Sequence, residues 1–140
     1  MKNTKKGFTL VELLVVIAIL AILSTVAVVG YTSFIKKADD SKASTELAQV
    51  KAYIEAEFMD DNKWTFTVGE GEDAVTYTVT KGQDGTITAS AGFDTVIKAC
   101  ADLAVPGSFA VTTDGLVYTT KDGKGTATWK GAFVEPTPAP

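Results

Sequence analysis

The sequence predicts an α+β protein: a long N-terminal helix, membrane-spanning in its first half and amphipathic in its second, packed on a small antiparallel β-sheet, with one short helix in the C-terminal region. Three patterns carry this expectation. Residues 13–35 hold no formal charge, residues 43–58 place apolar side chains at helical spacing, and from Trp64 onward apolar residues and threonines alternate.

The first element follows from charge and length. Residues 13–35 number 23, and at about 1.5 Å per helical residue they span roughly 35 Å, enough for a bilayer core. Lys2, Lys5 and Lys6 precede the run and fit a cytoplasmic flank. An ordinary secretory signal has a shorter apolar core followed by small residues at its cleavage site, whereas this run continues to Val29 and passes into Gly30-Tyr31-Thr32-Ser33. Glu12 is the one charge between Lys6 and Lys36. A carboxylate inside hydrocarbon costs at least about 2.5 to 3.5 kcal/mol unless it is paired or neutralised. It either reaches to interfacial water or has a partner.

Past Lys36 and Lys37 the helical pattern narrows to one face: Ala43, Leu47, Val50, Ile54 and Phe58 follow spacings of four, three, four and four. Glu46, Gln49, Glu55 and Glu57 are directed mostly elsewhere, no proline or glycine interrupts residues 31–62, and Asp60-Asp61-Asn62 ends the helix. The remainder predicts strands. Trp64, Phe66 and Val68 oppose Thr65 and Thr67, and Val75, Tyr77 and Val79 oppose Thr76, Thr78 and Thr80. Residues 86–89 continue the theme, residues 109–113, 116–120 and 126–129 supply three further short strands, and Asp84-Gly85, Asp114-Gly115 and Asp122-Gly123 are turn pairs between them. These Asp-Gly pairs lack the ligand spacing of a calcium loop. Phe93, Val96, Ile97, Cys100 and Leu103 form the stripe of a short helix stopped by Pro106-Gly107, which makes Cys100 a core residue.

Composition narrows the function classes. The chain has 140 residues and 46% hydrophobic content, much of it in the first thirty positions, so the globular part is small. There is no histidine and one cysteine, which removes intrachain disulfides and the residues that most nucleophilic triads and transition-metal sites use. No enzyme activity, catalytic residue, cofactor or metal is expected. An acidic, arginine-free chain also carries no expectation of general nucleic-acid binding.

Around the lone acid, Lys5-Lys6-Gly7-Phe8-Thr9-Leu10-Val11-Glu12-Leu13-Leu14 resembles the signal of type IV prepilins: a basic leader ending in glycine, then phenylalanine, and glutamate five residues after the glycine. The resemblance implies cleavage between Gly7 and Phe8 by a prepilin peptidase, N-methylation of Phe8, and pairing of Glu12 with the Phe8 amine of a neighbouring subunit. Losing residues 1–7 removes three lysines, so 13 basic groups become 10 against 17 acidic ones and the net charge falls from -4 to -7. The implied organisation is a leader at 1–7, a transmembrane and assembly helix at 8–35, an amphipathic helix at 36–60, an antiparallel sheet region at 61–134 and a Pro-rich tail at 135–140.

The function implied is that of a structural pilus subunit: a single-pass precursor in the cytoplasmic membrane, surrounded by lipid, that self-assembles into an extracellular filament with the help of an assembly platform and its ATPase. The same N-terminus suits a pseudopilin of a type II secretion or DNA-uptake system. A membrane-anchored adhesion domain that never polymerises is a different class, and it has no reason to keep Gly7, Phe8 and Glu12 in register. Two departures stand out: Gly30 follows Val29 where many members carry a proline, and the lone Cys100 cannot form the C-terminal disulfide of many Gram-negative pilins, which points toward a Gram-positive-like pilin or a pseudopilin.

Overall fold

The computed structural model describes residues 6–100 and 103–138. Most of the expected leader, residues 1–5, and the last two residues of the expected tail lie outside the described residues. The chain divides into two compact units, one up to Lys36 and one from Lys37 onward.

In the first unit, helix α1 (Leu10–Asp61) starts two residues after Phe8 and continues unbroken through Gly30. Every described residue of this unit is exposed. The helix is long and apolar enough to cross a membrane. Three of its hydroxyls are turned back on the helix: Ser24 Oγ donates to the Leu20 carbonyl (2.6 Å), Thr25 Oγ1 to Ile22 (2.7 Å) and Thr32 Oγ1 to Val29 (3.0 Å). Such bonds remove the cost of carrying these polar groups into hydrocarbon.

In the second unit, the stripe of Ala43, Leu47, Val50, Ile54 and Phe58 is buried, as its spacing predicts. α1 stops where Asn62 takes a left-handed conformation (φ 57°) and its N–H donates to the Phe58 carbonyl at 3.3 Å. This is a helix end that asparagine tolerates better than most residues. The strands are β1 (Lys63–Val68), β2 (Val75–Lys81), β3 (Ile87–Ala89), β4 (Ser108–Thr112), β5 (Gly115–Thr119), β6 (Thr126–Lys130) and β7 (Phe133–Val134), with helix α2 (Phe93–Ala99) between β3 and β4. Cys100 is buried beside Val96, Ile97 and Leu103 in the apolar cluster.

The single antiparallel sheet expected over 61–134 is instead two sheets. One has the order β1-β2-β3-β7 and the other β4-β5-β6. All pairings are antiparallel except β3 with β7, where Ile87 lies opposite Phe133 and the Ile87 N–H donates to the Ala132 carbonyl. The reason lies in one side chain. Phe133 is buried edge-on between Phe93 of α2 (5.6 Å) and Trp129 of β6 (5.0 Å), so the chain leaving β6 returns to the first sheet to bury it. Asp114-Gly115 also differs from expectation. Gly115 opens β5 instead of sitting in the turn, and glycine is needed there because its φ is 133° and a Cβ would run into the Trp129 carbonyl. The Asp84 and Asp122 turns are as expected. Asp122 Oδ1 accepts from Thr120 Oγ1 (2.6 Å) and Lys124 N (3.1 Å), and these bonds hold its carboxyl below the usual range.

Candidate functional site

The three residues singled out at the N-terminus lie at a change of backbone state. Gly7, Phe8 and Thr9 are non-helical and exposed, and α1 begins directly after them. An added Cβ at Gly7 would meet nothing within 4 Å, and Phe8 is 93% exposed. A protease needs an extended, accessible segment, and helical backbone cannot supply one because its amides are already bonded internally. The Gly7–Phe8 bond lies outside the helix and is exposed.

Glu12 stands one turn on from Phe8, and both border the same shallow depression of the helix surface with Val11, Val15 and Val16. The structure gives Glu12 a local role that the sequence reading missed. Its Oε2 accepts from the Thr9 N–H at 2.9 Å, while Thr9 Oγ1 accepts from the Glu12 N–H at 3.2 Å. This reciprocal pair is a capping box, which satisfies two of the amides that a helix start leaves without partners. The signal was present as Thr9-x-x-Glu12 ahead of an apolar run. Capping occupies one lone-pair site of one oxygen, and a carboxylate offers about four. The negative charge is also favourable at this end of the helix dipole. Glu12 is therefore anchored in the first turn with acceptor capacity left for a cation.

A second constellation fixes the globular unit. Tyr118 is fully buried, its hydroxyl donates to Glu46 Oε2 (2.5 Å) and accepts from the Gly107 N–H (2.9 Å), and burial together with the Glu46 bond pushes the phenol up to about 12. Glu46, expected to face away with its acidic neighbours, is half-buried by this bond. Asp40 Oδ1 accepts from the Thr126 N–H (3.1 Å) at the start of β6. These contacts tie α1 to strands more than seventy residues away, so they hold the fold.

Comparison with known proteins bears on the N-terminal segment most strongly. A family model described as the prokaryotic N-terminal methylation motif matches residues 2–28. A type IV major fimbrial protein FimA of Dichelobacter nodosus is 30% identical over 114 residues, covering 81% of this chain and 68% of that protein. A second FimA of the same organism is 38% identical over 63 residues, 45% of this chain and 39% of its own length. The type IV major alpha-pilin of Moraxella bovis is 44% identical over 54 residues, 39% of this chain and 34% of its own length. The chain thus spans little more than a third of two of these relatives and about two thirds of the other. No solved structure gives a significant match. The methylation motif over residues 2–28, the capped apolar helix and a relationship extending through most of the chain to a fimbrial protein agree, and the chain belongs to the type IV pilin family.

Proposed function

We propose that this chain is a structural subunit of a type IV pilus. Prepilin peptidase removes residues 1–7, the Phe8 amine is methylated, and the processed subunit waits in the cytoplasmic membrane before the assembly platform and its ATPase move it into an extracellular filament. The observation that carries this reading is the register of Gly7, Phe8 and a capped Glu12 on a helix whose stretch up to Lys36 is exposed and apolar on all sides. Such a surface is stable in lipid or against other copies of itself, and in water it is not.

The charge supplies the assembly step. In lipid, the Glu12 carboxylate is costly, and the amine of an arriving Phe8 is its complement. Bringing the two together in an apolar filament core fixes the axial position of one subunit on the next. Leaving either alone there costs about 3 to 5 kcal/mol, the penalty of a broken buried pair.

Two measurements on cells making only one form of the subunit test this. Intact mass of the native protein is expected to begin at a methylated Phe8, and a start at Met1 or beyond Gly30 overturns the processing scheme. Glu12→Ala is expected to reach the membrane and be processed normally, yet to yield few or no surface filaments by electron microscopy. Normal filaments from that variant defeat the pairing, and an unprocessed variant places Glu12 in peptidase recognition instead.

A further inference from the structure

The β1–β2 hairpin keeps its alternation past the point where the chain has anything to cover it. Its apolar face consists of three facing pairs: Trp64 with Val79, Phe66 with Tyr77, and Val68 with Val75. The first pair is buried, the second half-buried, and the third 40% and 50% exposed. The rings of Trp64, Phe66 and Tyr77 form a row with centroids 4.6 and 5.5 Å apart, so this face leads continuously from the core to the outside. The opposite face is threonine, with Thr67 and Thr76 joined at 3.0 Å. A face meant for water at the outer end has no need of valine on one side and threonine on the other. Between Val68 and Val75 the tip carries Glu70, Glu72 and Asp73 and no basic residue.

A complementary surface lies elsewhere on the same unit. Between the second half of α1 and β6 is a groove with exposed Ala48 and half-buried Ala127 on its apolar side, buried Leu47 and Trp129 beneath them, and Lys51 and Lys130 as its charged lining. The Lys51 ammonium stands 5.6 Å over the Trp129 ring and 3.9 Å from the exposed Glu55 carboxylate. Lys121 and Lys124 extend the positive charge along the loop before β6, although Asp122 lies between them and Asp40 touches Thr126. The hairpin begins at one terminal strand, β1, and the groove borders another, β6, in a different sheet. They are two different patches of one molecule.

We infer that the outer half of the β1–β2 hairpin of one copy docks in the α1–β6 groove of a second copy, Val68 and Val75 meeting Ala48 and Ala127 and the acidic tip meeting Lys51 and Lys130. The occupant is a second copy because apolar face and acidic tip on one patch match apolar wall and basic lining on the other. A contact between unlike patches is heterologous and repeats without closing on itself, as a filament requires. This inference rests on the polymer reading for its setting but has its own observable.

The test uses the full-length chain in its host, carrying Val75→Cys and Thr128→Cys, both at exposed positions, treated on sheared filaments and on membranes with a short bis-maleimide. Native Cys100 is buried, and each single variant controls for it. The double variant is expected to give a ladder through trimer and beyond, with at least tenfold less multimer in either single variant. Adding Glu70→Lys and Glu72→Lys is expected to lower the ladder at least fivefold, and Lys130→Glu in that background to restore part of it. Filaments without a ladder overturn the inference, as do dimers from Val75→Cys alone, which would mean the hairpin pairs with itself, or an adduct of another mass, which would mean a different protein fills the groove. A ladder in membranes from a chain that makes no filaments keeps the docking and discards the polymer reading. No ladder and no filaments removes both.

Discussion

Ile19 and Ile54 sit on the same helix, yet one is 53% exposed and the other is fully buried. Up to Lys36, α1 is aliphatic on every side and none of its side chains finds cover within the chain. Beyond Lys37 the aliphatic residues shrink to one stripe, and all five stripe positions are covered by strands and α2. The same residue type thus has opposite meanings according to its neighbours. A stripe addresses the chain's own core, whereas an all-round apolar surface addresses something outside the chain.

The strongest way to break this comparison is to separate the halves. A chain beginning at Ser33 is expected to be soluble and to unfold cooperatively in urea, because it retains the whole stripe. One beginning at Asp61 loses Leu47, Val50, Ile54 and Phe58 together with the Glu46 acceptor of Tyr118, and is expected to aggregate or to show no cooperative transition. A stable domain from Asp61 onward would show that the stripe is not part of the core.

A gentler version keeps the chain whole. In detergent-solubilised full-length protein, Ile54→Ala is expected to cost about 2 to 5 kcal/mol, the usual range for a large-to-small change in a packed core, and to lower the melting temperature of the globular unit by about 10 °C or more. Ile19→Ala removes a side chain from the same helix and is expected to leave near-UV thermal melting within about 0.5 kcal/mol of the parent. Equal effects would mean the two halves form one cooperative unit.

Much of this division could be read in advance from spacing. The positions 43, 47, 50, 54 and 58 identify a buried stripe because helical geometry leaves no other way to align them, and Thr9-x-x-Glu12 ahead of an apolar run is the pattern of the cap. What spacing does not encode is reach. Alternation places Val68 and Trp64 on one face but does not say that the core ends between them. The two-residue β7 is too short to show any period, and its parallel pairing follows from where Phe133 can be buried, which depends on Phe93 and Trp129 arriving from elsewhere. Likewise, the Glu46–Tyr118 bond joins residues 72 positions apart, and neither residue's local pattern points to the other.

That bond gives the comparison a pH dependence confined to the globular half. Tyr118 is held as the neutral phenol, its value raised from about 10 to about 12 by burial and by Glu46. A raised value means that the folded state holds the proton more tightly than the unfolded state. The contribution is therefore complete below about pH 10 and is lost as pH rises through about 12. The stability advantage of the parent over Tyr118→Phe is expected to shrink by on the order of 2 kcal/mol between pH 9 and pH 12. A pH-independent difference would show that the phenol ionises as freely in the folded chain as in the unfolded one.

The smallest expected effect concerns the helix start, where the capping role of Glu12 can be separated from its proposed role in assembly. As a cap, Glu12 works through Thr9, since the bonds between them are reciprocal; in the proposed assembly role it would work through an amine from another subunit, for which Thr9 is not required. Thr9→Ala removes the hydroxyl that accepts from the Glu12 N–H and leaves the carboxylate charge in place. Loss of such a cap costs typically about 1 kcal/mol, and the Thr9 N–H can still donate to Glu12. One kilocalorie corresponds to roughly a fivefold change in an equilibrium, while the unpaired charge left by Glu12→Ala corresponds to a hundredfold or more. Thr9→Ala is therefore expected to be processed normally and to retain filaments at a modestly lower number per cell, counted beside Glu12→Ala at matched subunit levels. Filament loss as complete as that of Glu12→Ala would mean that ordering the first turn, and not the intersubunit charge pair, is what assembly requires of Glu12.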